Sequence, residues 1–193
     1  PGQLNVFATL DPGIPAFVSD PIAVDYELDY KTDAVYFGTV SGSLDTGWGG
    51  KLKRIAIKNL VETGSWDKDT TLIDLTEVSA FGHGQPITAA PSAAKDSSGN
   101  GWVYFGTGRF FNRSDATHHP TSIQTQTFYG IKEPRNSSGF TWQEVFRDDL
   151  LDVTDAMVFE GGNTVQGVEA GNMTFNELKA LVSTKKGWYL DLT

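Results

Sequence analysis

An internal repeat of short strand-like segments restricts the fold of this chain more than any other feature of its sequence. The letters VYFGT occur at Val35–Thr39 and again at Val103–Thr107. Each copy follows a small-residue segment that starts with proline, and each precedes a further segment typical of a strand. Strand, loop, VYFGT strand, loop and further strands, repeated once, predict a four-stranded antiparallel meander of the kind that forms one blade of a β-propeller.

The turn-forming residues between the apolar segments are also typical of a β-protein. Glycine accounts for 21 of the 193 residues, and the apolar runs are short and rich in Val, Ile, Phe and Tyr, as strands are. The predicted strands are Val6–Leu10, Ile22–Val24, Ala34–Gly38, Leu52–Ile57, Thr71–Asp74, Ala89–Ala94, Gly101–Phe105, Thr127–Ile131 and Thr141–Phe146. The last of these is predicted to be the fourth strand of the second meander.

Two full copies are fewer than a closed propeller needs, since the smallest rings have about four blades. Leu4–Leu10 adds only an incomplete copy at the start. The pattern therefore predicts that residues 1–193 are a single domain and a fragment of a larger propeller. Its blade-like repeats would lie near 15–80 and 85–147, and an insertion that contains a helix would lie at 148–187.

One segment has helical rather than strand periodicity. Thr174 and Glu177 form a Ser/Thr-x-x-Glu capping box, and Phe175, Leu178 and Leu181 then recur at helical spacing. This pattern predicts a short amphipathic helix that packs against the sheet edge. The predicted fold class is all-β: a partial β-propeller of four-stranded antiparallel blades with one short C-terminal helix.

The composition excludes several classes of protein. Lys and Arg number 15 against 24 Asp and Glu, a formal net charge of −9, whereas proteins that bind nucleic acid present a clustered basic face. There is no cysteine, which excludes disulfide frameworks and thiol catalysis. No stretch approaches the roughly 18 apolar residues of a membrane-spanning helix, so no direct membrane insertion is expected.

The VYFGT strand and four further motifs carry a resemblance to a known family. The chain is similar, from about Pro15 to Leu192, to the C-terminal β-propeller of PilY-type proteins, which are tip-associated adhesins and assembly factors of bacterial type IV pili. The motifs are Val35–Thr39 with its following glycine-rich loop, Gln85–Pro91, Tyr104–Phe110, Gln126–Ile131 and Gly187–Leu192.

This resemblance implies an exported, non-enzymatic protein of the cell surface, outer membrane or pilus tip. Its implied partners are minor pilins or a host or surface ligand, and its implied roles are pilus assembly, retraction control and attachment. Two alternatives remain open at this point. One is an enzyme similar to the quinoprotein dehydrogenases, which share the blade pattern, and the other is a propeller interaction module that acts outside pili.

The resemblance also implies a calcium loop of the type Asp-x-Asp-x-Asp-Gly-x-x-Asp. Just before the first VYFGT strand, Asp25, Glu27, Asp29 and Asp33 occupy loop positions 1, 3, 5 and 9, and Lys31 offers a backbone carbonyl at position 7. Such oxygen ligands suit Ca²⁺. Two departures favour a metal-free, solvated loop instead: Tyr30 replaces the glycine of position 6, and Glu27 is longer than aspartate.

Other residues with possible chemistry have simpler interpretations. Arg109 either contacts an acidic partner on the propeller face or pairs with an acid such as Asp115. The adjacent His118 and His119, with Asp115, form a weak metal candidate, because neighbouring residues on an extended chain point apart. Glu144 and Asp148 resemble a glycosidase acid pair only in composition. The sequence lacks the Gly-x-Ser-x-Gly, His-Glu-x-x-His and phosphate-loop motifs.

Two further predictions concern His83 and the tryptophans. His83 stands between glycines and is expected to be an ordinary loop histidine. Tryptophans next to strands are expected to pack within the blades, whereas Trp48, which lies among glycines, is expected to be exposed. The five tryptophans are Trp48, Trp66, Trp102, Trp142 and Trp188.

Overall fold

The computed structural model describes residues 15–43, 45–57, 70–111, 115, 125–137, 139–159, 161, 163–168 and 171–192. Within these ranges the chain forms strands and one α-helix, so the prediction of an all-β chain with a single helix is confirmed. The predicted strand at Val6–Leu10 lies outside the described residues. The elements are β1 (Ala16–Val18), β2 (Ile22–Val24), β3 (Ala34–Ser43), β4 (Gly47–Ala56), β5 (Thr70–Leu75), β6 (Ser92–Lys95), β7 (Gly101–Gly106), β8 (Gln126–Lys132), β9 (Arg135–Asn136), β10 (Gly139–Phe140), β11 (Leu151–Asp152), β12 (Met157–Phe159), β13 (Thr164–Gln166), β14 (Met173–Thr174), α1 (Phe175–Thr184) and β15 (Gly187–Leu192).

The first repeat is the antiparallel meander β2-β3-β4-β5, as predicted. Its two middle strands are longer than the sequence suggested, and each has ten residues. The extra length of β3 pairs with β1 on one side and with the start of β4 on the other. This first blade therefore has a fifth strand, β1, beside the C-terminal half of β3.

The second repeat is the meander β6-β7-β8-β15, and its fourth strand differs from the prediction. The predicted strand at Thr141–Phe146 is wrong, because residues 141–146 form no strand. Trp142 has φ of +55°, a left-handed conformation that an extended strand does not accept. Instead, Gly187–Leu192 pairs along the whole length of β8.

A long excursion joins β8 to β15. It contains the β9–β10 hairpin, a 3₁₀ turn at Arg147–Asp149, β11, a small three-stranded sheet of β12, β13 and β14, and finally α1. Leu151, Val165 and Val168 form its own small core. The predicted helix is confirmed: Thr174 and Glu177 make the reciprocal capping box at its N-terminus. No helix among the described residues has the length and apolarity to cross a membrane.

The two blades share one hydrophobic core, and they meet through unlike faces. Successive residues of a strand point to opposite faces of the sheet. In the first copy of VYFGT, Tyr36 points into the shared core, whereas in the second copy Val103 and Phe105 do so and Tyr104 points outward. Contact between unlike faces repeats head to tail and can continue around a ring. This packing is that of neighbouring propeller blades rather than of two sheets related by a twofold axis.

The two motif glycines differ in their surroundings, which gives a matched test of this packing. A Cβ on Gly38 would overlap the Ile87 side chain and lie 2.8 Å from the Ile87 carbonyl oxygen, whereas a Cβ on Gly106 would meet only Phe128 at 3.8 Å. We expect Gly38→Ala to cost about 1–3 kcal/mol of unfolding free energy, and Gly106→Ala to cost less than about 1 kcal/mol. Urea denaturation of both variants measures the difference, and equal costs would contradict the unlike-face packing.

Candidate functional site

The loop of residues 25–33, called the acidic loop below, joins β2 to β3 and is closed by its own aspartates. The Asp25 carboxylate accepts hydrogen bonds from the backbone amides of Asp29 (3.3 Å) and Tyr30 (2.8 Å). Leu28 and Tyr30 both have positive φ, +57° and +67°. Tyr30 therefore adopts the left-handed conformation that glycine favours at position 6 of a calcium loop. The tight turn forms despite the substitution.

The other end of the acidic loop is held in the same way. The Asp33 carboxylate accepts hydrogen bonds from the backbone amides of Tyr26 (2.6 Å) and Glu27 (3.2 Å). Such side-chain caps satisfy amides that have no partner in a sheet. Aspartates from opposite ends of the segment thus fix its backbone, and this reciprocal capping was not foreseen from the sequence.

A lysine of the same loop takes one of the predicted ligands. The Lys31 ammonium lies 2.8 Å from Asp29 Oδ2, while its backbone amide donates to Asp29 Oδ1 at 3.0 Å. The hydrogen bond from Lys31 lowers the pKa of Asp29, and Asp29 in turn raises the pKa of Lys31. Lys31 thus contributes a positive charge to the loop, beside the carbonyl that the sequence assigned to it.

The five predicted calcium-ligating positions share one loop, but their carboxylates do not converge. Among the residues that the structure describes, no group of three or more His, Cys, Asp or Glu side chains is placed to hold a metal ion. The donor set suits Ca²⁺ in kind, although Asp25, Asp29 and Asp33 are each engaged in the contacts above. Calcium binding at Asp25, Glu27, Asp29, Lys31 and Asp33 stays a prediction.

Tyr26 fastens the acidic loop to both blades. Its ring is buried, packs on Phe140 with centroids 5.1 Å apart, and lies against Gly101 of β7. Its carbonyl oxygen accepts a hydrogen bond from Lys95 Nζ at 2.6 Å, and its hydroxyl donates to the Tyr36 hydroxyl at 3.4 Å. The position of the loop therefore depends on groups in the shared core.

The strongest polar feature of that core is an ion pair that the sequence reasoning missed. Arg54 of β4 and Glu133, just after β8, have side chains with 0% exposure. Arg54 Nη1 lies 2.7 Å from Glu133 Oε2 and 3.0 Å from Oε1. The Tyr36 hydroxyl donates to Oε1 at 2.5 Å. A buried carboxylate and guanidinium thus join the two blades with their charges paired.

Burial changes the acidity of the groups around this ion pair. It raises the pKa of Glu133, and the charge of Arg54 and the hydrogen bond from Tyr36 offset part of that rise. Burial, with the charge of Glu133, also raises the pKa of the Tyr36 hydroxyl far above its usual value. The Tyr36 hydroxyl therefore stays protonated near neutral pH and donates its hydrogen bond to Glu133.

The alternation of inward-facing residues along two strands could have revealed this ion pair. Arg54 shares its face of β4 with Leu52 and Ala56, and both of those residues are fully buried. Glu133 follows Tyr129 and Ile131 at the same two-residue spacing. A charged residue at an inward-facing strand position predicts a buried partner of opposite charge. The alternation alone does not show which acid that partner is.

A second polar cluster joins β8 and β15 to the 3₁₀ turn. Arg147 donates from Nη2 to both carboxylate oxygens of Asp191 (2.9 and 2.8 Å) and from Nη1 to the Tyr129 hydroxyl (2.6 Å). Its guanidinium stacks on the Tyr189 ring at 3.6 Å. The Tyr129 hydroxyl donates onward to Gln85, which is fully buried. These bonds fasten the last strand of the blade to its neighbours.

Asp96 organises the loop between β6 and β7, at the position that the acidic loop has in the first blade. Its carboxylate accepts hydrogen bonds from the backbone amides of Ser98 and Asn100, from the Asn100 side chain and from the Trp102 indole. Burial alone would raise the pKa of Asp96, but these hydrogen bonds lower it to about 2. This loop is a turn in which Asp96 is the one carboxylate of residues 96–101.

The lowered pKa of Asp96 predicts a specific pH dependence. The charged form is favoured in the folded state, so its contribution to stability is present above the unfolded pKa of about 4 and is lost as the pH falls towards about 2. We expect Asp96→Asn to lose less stability than the parent chain between pH 5 and pH 2.5. Thermal unfolding across this range measures the slope, with Asp45→Asn at the β3–β4 turn as the control. Parallel curves for Asp96→Asn and the parent chain would contradict the prediction.

Arg109 has the structural role that one alternative assigned to it. It forms an ion pair with Asp115, whose side chain is almost fully buried, and its guanidinium lies 4.0 Å from the centroid of the Trp48 ring. Trp48 is consequently half-buried, and the expectation that it is exposed was wrong because Arg109 covers it. Trp102, Trp142 and Trp188 pack in or on the second blade as expected, while Trp66 lies outside the described residues.

The remaining candidates do not form a catalytic group in the described part of the chain. The ring of His83 stacks on Phe81 and contacts the Gly84 carbonyl oxygen at 2.9 Å, as a plain loop histidine does. Glu144 and Asp148 are both exposed, and neither has the burial that turns a carboxyl into a general acid. His118 and His119 lie outside the described residues.

Comparison with known proteins finds relatives of the same type that the sequence motifs resemble. No family model matches the chain. Two curated relatives, each named type IV pilus biogenesis factor PilY1, come from Pseudomonas aeruginosa strains PAO1 and PAK. Each is 28% identical over an alignment of 199 positions, which covers 93% of this chain and 16% of the relative. The chain resembles PilY-type proteins.

A solved structure extends the PilY-type resemblance to the fold. The crystal structure of the Pseudomonas aeruginosa PilY1 C-terminal domain superposes with a TM-score of 0.55 at 23% identity, and the match covers 96% of this chain and 41% of that chain. The predicted propeller-like fold and the predicted similarity to the PilY-type C-terminal region are confirmed. This chain spans about 16% of the length of its curated PilY1 relatives.

Proposed function

We propose that this protein is a non-enzymatic scaffold module of a type IV pilus biogenesis factor, exported to the cell surface or pilus tip. The observation that carries the proposal is the 28% identity to PilY1 across 93% of this chain. Its proposed work is to hold loops in fixed positions for a partner, in pilus assembly, retraction control and attachment. The proposed partners are minor pilins or a ligand on a host or other surface.

The architecture suits this role because it fixes two loops at one end of the blades. The acidic loop joins β2 to β3, and the turn at residues 96–100 joins β6 to β7, so they occupy equivalent positions in consecutive blades. Lys95 bridges them through its hydrogen bond to the Tyr26 carbonyl. Loops on a rigid sheet scaffold are the usual carriers of recognition. The acidic loop is the proposed contact surface.

A direct binding measurement tests the proposed partner. The immobilised chain is titrated with the soluble domains of the minor pilins encoded by the same genome. We expect saturable binding that falls at least about tenfold, the effect of losing a charged contact at an interface, in Asp25→Ala. Asp45→Ala, at the β3–β4 turn on the opposite end of β3, is the matched control and should bind as the parent does. Folded protein that binds none of the minor pilins would contradict this assignment of partner.

Calcium regulation of the acidic loop is a further part of the proposal. Asp25, Glu27, Asp29 and Asp33 would supply carboxylates and Lys31 a carbonyl, and Asp29 would have to leave the Lys31 ammonium. Calorimetric titration of Ca²⁺ into chelator-stripped protein should give saturable heat that is lost in Asp29→Ala. Absence of heat and of any shift in Tm at millimolar Ca²⁺ would overturn the calcium proposal and leave the scaffold proposal intact.

A further inference from the structure

A cleft of about 670 Å³ lies between α1 and the outward face of the second blade. Trp102 and Trp188 lie on the blade side of the cleft, while Leu178 and Val182 line it from the helix. Its volume is within the range of about 300–1,000 Å³ that is usual for small-molecule sites, which are mostly apolar with a few polar groups. The cleft is distinct from the acidic loop.

The cleft is present because α1 packs only loosely against the sheet and leaves a space between them. No residue of α1 is fully buried, and Leu178, Leu181 and Val182 are only partly so. The C-terminal end of the helix is fastened from below by Lys132 of β8, whose ammonium donates to the carbonyl oxygens of Val182 (3.0 Å) and Ser183 (2.9 Å). A cation at this end also complements the helix dipole.

Lys132 brings a positive charge to the cleft, and its ammonium also lies 5.7 Å from the centroid of the Trp102 ring. An ammonium has three donors, and the two helix carbonyls take two of them. In the described part of the chain no carboxylate lies within ion-pair distance of Lys132; burial lowers its pKa, and the charge of Asp96 offsets part of that fall. Asp96 also lines the cleft, but its oxygens are occupied by the four donors of its own turn. Partly buried charges are usually paired, and the third donor of Lys132 is the group that an added anion would meet.

A second cation lies at the same cleft. Lys179 of α1 lines it, and its ammonium lies 5.3 Å from the centroid of the Phe175 ring. Ion pairs of Lys179 with a carboxylate are likewise absent from the ranges that the structure describes. The cleft thus combines an apolar interior that contains two indole rings with two ammonium groups that have no ion pair in the described part of the chain.

We propose that this cleft binds a small amphiphilic anion: an aromatic or acyl body that carries a carboxylate or sulfonate. The apolar body lies against Trp102, Trp188 and the apolar side chains of α1. The anionic group accepts hydrogen bonds from Lys132 and Lys179. The charge-assisted contact selects anions over neutral molecules of the same shape.

A matched pair of fluorescent probes tests the proposal on the folded chain. 8-Anilinonaphthalene-1-sulfonate carries the anion, and N-phenyl-1-naphthylamine has the same two ring systems without it. We expect the sulfonate to bind with one-to-one stoichiometry and about tenfold more tightly than the neutral probe, the difference expected for one charge-assisted hydrogen bond. Ala156→Phe, which fills the cleft, should abolish binding of both probes. If that variant does not fold, Ser183→Phe at the cleft rim serves instead.

Substitution of the lysines separates charge from shape. Lys179→Gln and Lys132→Met should each weaken binding of the sulfonate and leave the neutral probe unchanged, while Lys185→Gln, beyond the helix end and outside the cleft, should change neither. Each variant is first shown to unfold cooperatively. The proposal is overturned if folded protein binds no sulfonate, if the filled variants bind it as the parent does, or if both probes bind equally well in the parent and in Lys179→Gln.

Discussion

Replacement of Glu133 by alanine is expected to lower the free energy of unfolding by about 3–5 kcal/mol, the usual cost when one partner of a buried ion pair is removed. Arg54 has no exposure and would keep its charge without the carboxylate that offsets it. The Tyr36 hydroxyl would lose its acceptor at the same time. Urea denaturation followed by tryptophan fluorescence measures the loss.

Two controls separate charge from packing in this experiment. Lys31→Ala removes one partner of the exposed pair with Asp29, whose side chains are 65% and 43% exposed, and should leave the urea midpoint almost unchanged, because exposed ion pairs contribute little to stability. The double substitution Arg54→Met with Glu133→Leu should recover part of the loss, because apolar residues of similar size can replace a buried pair, while the Tyr36 hydroxyl still lacks its acceptor. A Glu133→Ala variant no less stable than Lys31→Ala would show that the buried pair does not form.

Removal of the Asp191 carboxylate is expected to have the next largest effect. Asp191→Ala leaves the Arg147 guanidinium, which is 14% exposed, without the carboxylate whose two oxygens accept its hydrogen bonds. We expect the free energy of unfolding to fall by about 2–4 kcal/mol. A double-mutant cycle with Arg147→Ala isolates the pair. The coupling energy should exceed about 1 kcal/mol.

The matched control for this pair is Lys186→Ala. Lys186 and Asp149 form a single-pronged ion pair, 2.9 Å apart, with side chains that are 48% and 33% exposed. Its loss should cost less than about 1 kcal/mol. An Asp191→Ala variant that unfolds at the same urea concentration as Lys186→Ala would mean that the Arg147–Asp191 pair does not hold the 3₁₀ turn to β15 as the structure has it.

Local signals were enough to predict the strands β2 to β8 and the helix. The strand Ile22–Val24 was predicted with its observed ends, and β7 differs from its prediction by one residue, because alternation and turn residues act over a few positions. The capping box of Thr174 and Glu177 located the start of α1 for the same reason. The repeated VYFGT motif then related the two blades without any structural information.

Contacts between residues that are distant in the sequence could not be predicted from local sequence patterns. β15 completes the second blade after a long excursion, so the nearer segment Thr141–Phe146 was chosen in its place, and the left-handed conformation of Trp142 was not foreseen. Arg54 and Glu133 are 79 residues apart in sequence, and only the fold makes them partners. The aspartates of the acidic loop were identified correctly as a group, but their role in capping backbone amides requires coordinates.

The most direct test of the central claim is a count of surface pili in the bacterium that encodes this protein. The gene is deleted, and pili sheared from the surface are quantified by immunoblotting of the major pilin. The proposed role in pilus biogenesis predicts a large loss of surface pili that the intact gene restores and that a gene lacking the codons for these 193 residues does not restore. Unchanged piliation in the deletion strain would contradict that role and favour a propeller module that acts outside pili.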